Sequence, residues 1–152
     1  RLGPVTGVQE APLGDALSQI SGQDVIARRA NPPLPNTAVD GYGFAGARGA
    51  GAHVLPLVEG RAAAGDAPGG VPEGHAIRVL TGAALPDGVD TVILQEDVSV
   101  AEGHVHFNGP VKLGSNTRKA SEDVTQGQII CALCLSLAVI AVVVSDSSSN
   151  NS

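Results

Sequence analysis

Short apolar runs, each closed by glycine, proline or aspartate, recur along the chain from residue 37 to residue 120. Runs of this kind, bounded by turn-forming residues, are typical of the strands of a small sandwich or barrel. The chain has 20 Gly and 10 Pro and lacks Trp and Met, so we expect many short elements around a core of Val, Leu, Ile and Ala. We predict a mainly β class, with strands over 42–45, 53–59, 76–80, 91–95, 98–101, 105–107 and 111–113.

The two ends of the chain have a different pattern. Residues 16–20 predict one helical turn before a short strand over 24–27, and this end has too little apolar surface to fold alone. Residues 129–144 are nearly all apolar, with a Leu-rich half that suits a short helix and a Val-rich half that suits a buried strand. Residues 145–152 form a polar, low-complexity tail that we expect to be disordered.

These patterns predict an α+β arrangement of two domains. We expect a small β domain of residues 28–120, inserted into a partly helical, elongated domain made of residues 1–27 and 121–144. The β domain begins with a stiff arm at 28–36, because proline fixes φ and favours extended geometry in the residue before it. Residues 60–70, rich in Gly and Ala, predict a solvated connection.

Charge and segment length narrow the range of partners. The net charge is −6 with a pI of about 5.0, and no stripe of Lys and Arg is present, which excludes a nucleic-acid partner. The start of the chain lacks a charged-then-apolar signal segment, which predicts a cytoplasmic protein. The apolar segment 129–144 is shorter than the roughly 20 residues of a membrane-spanning helix, so we expect no membrane partner, with a tether through this segment as an alternative.

Asp40 is the first candidate for chemistry. It follows Pro32, Pro33 and an Asn-Thr pair that can turn the chain, and it precedes Gly41. This places a carboxylate on a braced loop, where functional groups are often found. The alternative is a tight Asp-Gly turn in which the carboxylate accepts hydrogen bonds from nearby backbone amides.

Two further positions carry suitable groups. Thr81 and Gly82 follow a predicted strand, and a hydroxyl beside glycine lets backbone amides approach an anion, although an ordinary strand end is the alternative. Arg118 follows a turn that would expose it, and its guanidinium can grip a phosphate through two hydrogen bonds. The alternative for Arg118 is a surface ion-pair cluster with Glu122 and Asp123.

The histidines and cysteines offer weaker candidates. His104 and His106 would share one face of a strand, but a zinc site needs three or four ligands and no further set completes this one. Cys131 and Cys134 lack a second pair, which favours free thiols packed in an apolar helix over a zinc or redox site.

Three segments together resemble one known family. They are NTAVDGY at 36–42, IRVLTGA at 77–83 with its continuation PDGVDTVILQE at 86–96, and GSNTR at 114–118 with Glu122-Asp123. In this order and spacing they resemble the N-terminal half of the MoeA/gephyrin family, the molybdopterin molybdenumtransferases. The resemblance implies insertion of molybdate into adenylylated molybdopterin with Mg²⁺, in the last step of molybdenum cofactor synthesis. It also implies a homodimer, with the active site at the subunit interface.

The resemblance implies roles for individual residues. Asp40 and Thr81 would be catalytic, and Asp40 would also contact Mg²⁺. Arg118, Gly82 and Tyr42 would bind substrate. The family's α/β substrate-binding domain and C-terminal β domain have no counterpart here, so the chain resembles a fragment of a larger multidomain protein and is expected not to turn over alone. A non-catalytic dimerisation or scaffold module of the same family is the alternative function.

Overall fold

The structure, a computed structural model, describes residues 7–67, 69–131 and 141–144. It divides the chain into two units, Ala30–Asp123 and a second unit made of Arg1–Arg29 with Val124–Ser152. The described strands are β1 Val8–Ala11, β2 Ile20–Ser21, β3 Val25–Ile26, β4 Asn36–Thr37, β5 Gly41–Phe44, β6 Arg48–Ala62, β7 Ala76–Val79, β8 Thr91–Leu94, β9 Val98–Ala101, β10 His104–Val111, β11 Thr117–Arg118, β12 Ile129–Cys131 and β13 Ala141–Val144. Two 3-10 turns, Leu13–Asp15 and Gln95–Asp97, are the helical elements of the described residues.

A six-stranded sheet forms the centre of the unit Ala30–Asp123. Its strand order is β8-β5-β7-β6-β10-β9, and β6 and β7 are its parallel pair. Side chains alternate between the two faces of a strand, so each face of this sheet covers its own apolar cluster. One cluster contains Tyr42, Phe44, Leu55, Ala76, Ile93, Val105, Phe107 and Val111. The other contains Ala62, Val71, Ile77, Val79, Ala83, Val89 and Val92.

The strand β5, with the sequence GYGF, is fully buried because it separates the two clusters. Tyr42 and Phe44 fill one face, and glycines occupy the other face, where neighbouring chains come very close. A Cβ on Gly41 would lie 2.0 Å from the carbonyl oxygen of Ile93, and one on Gly43 would lie 2.7 Å from Val89 Cγ1. Gly41 is thus the first residue of a central strand, so the alternative is wrong in its Asp-Gly turn, whereas the Asp40 carboxylate does accept a backbone amide, that of Thr81.

The predicted mainly β class is confirmed, and several strands differ from the predicted ones. Strands β5, β7, β8 and β9 match the predicted segments to within one residue at each end. Strand β6 runs through 48–62, beyond the predicted 53–59, because it pairs with β10 at one end and β7 at the other. The segment predicted at 105–107 is the middle of a longer strand, β10, which has an irregularity between Gly109 and Val111, and the strand predicted at 111–113 is wrong beyond its first residue, because β10 ends at Val111.

The second unit is made of short strands. Strand β13 lies between β1 and β2 and is parallel to both, and β12 pairs antiparallel with β3. The predicted helical turn at 16–20 is wrong: Leu17 and Ser18 form a turn, and β2 begins at Ile20. The segment lies between Gly14 and Gly22, and so short a stretch cannot repay the cost of nucleating a helix.

The apolar segment near the end of the chain begins and ends in strands, β12 and β13. The prediction of a helix in its first half is therefore wrong for 129–131, and residues 132–140 and the predicted tail at 145–152 lie outside the described residues. The prediction of a partly helical, elongated domain is not supported by the described parts of the chain. Those parts also contain no helix with the length and apolar character needed to cross a bilayer.

Candidate functional site

Backbone hydrogen bonds join the three loops that contain the predicted site residues. The N–H of Thr37 donates to the carbonyl of Ala83 at 3.0 Å, and the N–H of Gly82 donates back to the carbonyl of Thr37 at 2.9 Å. On the other side, the N–H of Ala38 donates to the carbonyl of Asn116 at 2.9 Å. The loop before Asp40 is therefore held between the loop of Thr81 and the turn before Arg118.

Asp40 and Thr81 are in direct contact. The carboxylate oxygen Oδ1 of Asp40 accepts a hydrogen bond from the hydroxyl of Thr81 at 2.6 Å and another from its backbone N–H at 2.7 Å. The loop itself is braced by Thr37, whose hydroxyl donates to the carbonyl of Val39 at 2.7 Å. The backbone of Asp40 is also fixed, because its carbonyl accepts the N–H of Gln95 at 3.1 Å.

These contacts favour the ionised form of Asp40. The hydroxyl of Thr81, then the backbone N–H of Thr81, and to a smaller extent the positive charge of Arg78, lower the pKa of the Asp40 carboxyl, while desolvation acts in the opposite direction. Hydrogen bonds to a carboxylate favour its ionised form. Asp40 is thus suited to accept hydrogen bonds or bind a cation, and it is a poor general base at neutral pH.

The glycine turn after Thr81 uses its amides within the protein. Thr81 donates its N–H to Asp40, Gly82 donates to Thr37, and Ala83 donates to the carbonyl of Leu80 at 3.0 Å. The expectation that this turn presents free amides to an anion is therefore wrong for these three groups. Gly82 has φ +80°, a conformation that glycine adopts without strain, and the Cβ of Ala64 lies 3.8 Å from the position that a Cβ on Gly82 would take.

Arg118 lies in β11, opposite Asn36 of β4. Its Nε donates to Glu122 at 3.1 Å, and its Nη2 donates to Asp123. The bond to Asp123, followed by the bond to Glu122, raises the pKa of Arg118, while the backbone N–H of Lys119 and the Arg118 guanidinium lower the pKa of Glu122. The surface ion-pair cluster is the arrangement that the structure contains, and within the described ranges Nη1 of Arg118 has no hydrogen-bond partner.

Tyr42 does not lie in an open site. Its side chain is only 7% exposed and belongs to the apolar cluster with Phe44 and Ile93. Strand pairing places Tyr42 directly between Arg78 of β7 and Ile93 of β8. What the structure assigns to Tyr42 is the anchoring of the strand that follows Asp40.

The described residues contain few side chains that could bind a metal ion together. Within the described ranges, no three His, Cys, Asp or Glu side chains converge on a position that a metal ion could occupy. The rings of His104 and His106 lie 6.4 Å apart, on a strand where no third such ligand joins them. Cys131 ends β12, and Cys134 lies outside the described residues.

Three residues at the site were not predicted from the sequence. Arg78 donates from Nη2 to the side-chain oxygen of Gln95 at 3.2 Å, and Gln95 also holds the backbone of Asp40. Asn116 has φ 55° and donates from its side chain to the carbonyl of Val92 at 2.9 Å. Asparagine adopts left-handed backbone more readily than most residues, and this preference and its place in the GSNTR motif were the signals available for Asn116.

Comparison with known proteins decides the family. Residues 1–139 match the family described as the MoeA N-terminal region, domains I and II. This chain belongs to that MoeA family. The match includes the three loops that the hydrogen bonds bring together.

Two curated proteins and one crystal structure illustrate what this MoeA chain is similar to. It is 33% identical over 120 residues to a molybdopterin molybdenumtransferase from Haemophilus influenzae, covering 78% of the chain and 30% of that protein. It is 31% identical over 132 residues to one from Synechococcus elongatus, covering 82% of the chain and 32% of that protein. The crystal structure of a molybdopterin biosynthesis MoeA protein from Pyrococcus horikoshii matches with a TM-score of 0.73 and 32% identity, over 82% of this chain and 34% of that one. The chain thus spans about a third of the length of the relatives it matches.

Proposed function

We propose that this chain contributes the Asp40–Thr81 part of the active site of a molybdopterin molybdenumtransferase. In this proposal the whole enzyme inserts molybdate into adenylylated molybdopterin during molybdenum cofactor biosynthesis. The single observation that supports the proposal most is the double hydrogen bond from Thr81 to Asp40 Oδ1. It joins two motifs of the MoeA family across the fold, and the named relatives are molybdopterin molybdenumtransferases.

The proposed role of each site residue follows from its charge and from the polar atoms that have no partner among the described residues. Asp40 is ionised and held by Thr81 through Oδ1, while its Oδ2 has no hydrogen-bond partner within the described ranges. Thr81 positions that carboxylate, and Gly82 allows close approach of a substrate beside it. Arg118 keeps the N–H groups of Nη1 for an anionic group, while Nε and Nη2 each donate one hydrogen bond to an acid. Tyr42 anchors the strand behind the loop.

Magnesium fits this site only in part. Mg²⁺ is usually bound by one or two carboxylates together with waters and substrate phosphates, and Asp40 Oδ2 offers one such oxygen. The described residues provide no further cluster of ligands. If bound there, Mg²⁺ would supply positive charge against phosphate oxygens, and the other ligands would come from substrate or from parts of the enzyme beyond this chain.

The same proposal includes a homodimer in the cytoplasm. In the family resemblance, a second domain and a partner subunit complete the active site. The Asp40–Thr81 contact brings together one carboxylate and one hydroxyl, which is a fraction of the groups that transfer of molybdate requires. We therefore expect the 152-residue chain alone to show no turnover.

A chimera tests the proposed function. We expect this chain, placed in the H. influenzae enzyme in exchange for the region it matches, to restore molybdenum-enzyme activity in cells that lack that enzyme. In the chimera, Asp40→Asn and Thr81→Val should each lower the rate of molybdate insertion on the order of 100-fold, as expected for loss of one pre-organised polar group. Asp87→Asn, an exposed carboxylate outside the contact, is the matched control. Full activity of both site variants would refute the assignment.

One observation favours the scaffold alternative. The amides of the Thr81 turn and two donors of Arg118, one at Nε and one at Nη2, are bonded within the protein, as in a purely structural loop. A scaffold module predicts that the chimera retains its activity when Asp40 is replaced, and that the chain alone forms a stable dimer in light scattering. A catalytic role predicts loss of activity in the same variant, whatever the oligomeric state.

A further inference from the structure

Two arginines lie side by side on neighbouring strands of the central sheet. In the parallel pair of β6 and β7, Arg61 is opposite Arg78 and the next residues, Ala62 and Val79, are also opposite each other. Ala62 and Val79 are both buried in the same apolar cluster. Because side chains alternate along a strand, Arg61 and Arg78 both project from the other face, where both are exposed.

In the described parts of the chain, neither arginine forms an ion pair with a carboxylate, although the charge of Arg78 helps to lower the pKa of Asp40. Within the described ranges, the carboxylate ion pairs closer than 4.0 Å belong to Arg118. The bond that the structure gives to Arg78 goes to the neutral amide oxygen of Gln95. Like charges directly opposite each other on neighbouring strands destabilise a sheet, so an anion bound between Arg61 and Arg78 would relieve a repulsion.

The arginine pair adjoins the Asp40–Thr81 contact. Gln95 accepts the hydrogen bond of Arg78 with its side chain and donates its backbone N–H to the carbonyl of Asp40. Thr81 follows β7, the strand of Arg78, after a single intervening residue. The positive charge of Arg78 also contributes, as the smallest of the causes, to the lowered pKa of Asp40.

We propose that Arg78 and Arg61 together bind a tetrahedral oxyanion beside the Asp40–Thr81 contact. A guanidinium binds such an anion through two parallel N–H donors, and neighbouring strands lie about 4.8 Å apart, so both arginines can reach one group. The anion is a phosphate group of the substrate or molybdate itself; this identification rests on the proposed function, whereas the binding of an oxyanion does not.

Titration of the 152-residue chain tests this site. Inorganic phosphate, pyrophosphate and molybdate are added separately, and binding is followed by calorimetry at two salt concentrations. We expect at least one of them to bind, more weakly at high salt. Arg78→Gln should weaken binding about fivefold or more, and Arg61→Gln should also weaken it, since each removes a charged fork of donors. Arg78→Lys keeps the positive charge but loses the forked donors, so its affinity for the anion should lie between that of the wild-type chain and that of Arg78→Gln. Phosphate or pyrophosphate binding identifies a phosphate subsite, and binding of molybdate alone identifies a molybdate subsite.

The matched control is Arg29→Gln, which removes the same charge from an exposed position in the other unit. Equal weakening by Arg29→Gln and Arg78→Gln, or no binding of any of the three anions, overturns the proposal. If Arg78→Gln fails to fold, the anion affinities of Arg78→Lys and Arg61→Gln test the proposal in its place. An active chimera with a wild-type KM after Arg78→Gln would contradict this inference alone. An inactive chimera combined with arginine-dependent binding would contradict the proposed function alone.

Discussion

The pKa of the Asp40 carboxyl depends mainly on one residue that contacts it, Thr81. Thr81 supplies both hydrogen bonds to Oδ1, one from its side chain and one from its backbone. The hydroxyl is the larger cause of the lowered pKa of Asp40 and the backbone N–H is the second. A substitution that removes only the hydroxyl therefore separates the two contributions.

We expect Thr81→Val to raise the pKa of Asp40 towards the ordinary value for aspartate, because the amide donor alone remains. Thr81→Ser, which keeps the hydroxyl, is the control and should leave the pKa low. A folded-state pKa below the unfolded one adds stability above the unfolded pKa, and this is lost as the pH falls through the folded pKa. Acid unfolding should thus begin at a higher pH in Thr81→Val than in Thr81→Ser. Titration of the Asp40 carboxyl carbon by NMR checks the shift, and identical curves for both variants would contradict it.

Left-handed backbone marks two other single residues near the site. Asn116 has φ 55°, and Ser121 has φ 62°. The N–H of Ser121 donates to the carbonyl of Pro32 at 2.9 Å, so the turn keeps a defined conformation. A serine in left-handed backbone has a higher conformational free energy than a glycine, because the Cβ of serine is crowded by the backbone.

At the scale of elements, β5 is the strand that allows the sheet to have two apolar faces. Its larger residues fill one cluster, and its glycines let the other cluster approach the backbone. The position of Asp40 follows from this, because Asp40 immediately precedes Gly41 and the close packing of Gly41 against Ile93 sets where the strand begins.

We expect Gly41→Ala to lower the free energy of unfolding by about 1–3 kcal/mol or more, as for other overpacked sites. The added Cβ would meet the Ile93 carbonyl oxygen at 2.0 Å, and a backbone atom in a central sheet cannot move aside cheaply. Gly49→Ala in β6 is the control, since nothing lies within 4 Å of its Cβ position. Urea unfolding of both variants measures the difference, and equal midpoints would show that β5 tolerates a side chain at this position.

At the scale of the whole molecule, the unit Ala30–Asp123 has its own core and its two ends lie together. The N–H of Asp123 donates to the carbonyl of Asn31 at 2.9 Å, and the side chain of Asn31 donates to Asp123 Oδ2 at 3.0 Å. Adjacent ends and a self-contained core are the usual properties of a unit that can fold independently.

We therefore expect residues 30–123, expressed alone, to fold and to unfold in a single cooperative transition. Thermal unfolding followed by circular dichroism, together with a dispersed amide NMR spectrum, measures this. Asp123→Ala in the excised segment should lower its midpoint, because the contact that joins the ends is lost. A segment without a cooperative transition would show that the other unit is needed for folding.

The sequence alone predicted much of the sheet and proposed some of the candidate site residues. Turn residues bound β5, β7, β8 and β9, so local preference was enough to find them, and the motif resemblance pointed to Asp40, Thr81 and Arg118. The predicted helical turn at 16–20 failed because an apolar run between glycines is too short to decide between helix and strand.

Only the tertiary structure determined which side chains and backbone groups contact each other. The parallel pairing of β6 with β7 places Arg61 beside Arg78, and no local pattern reveals that register. The bond between Asp40 and Thr81 joins residues 41 positions apart, and the amide of Gly82 was taken by Thr37 instead of being left for an anion. Sequence specifies which donors and acceptors exist, whereas strand register and packing determine which of them come within hydrogen-bonding distance.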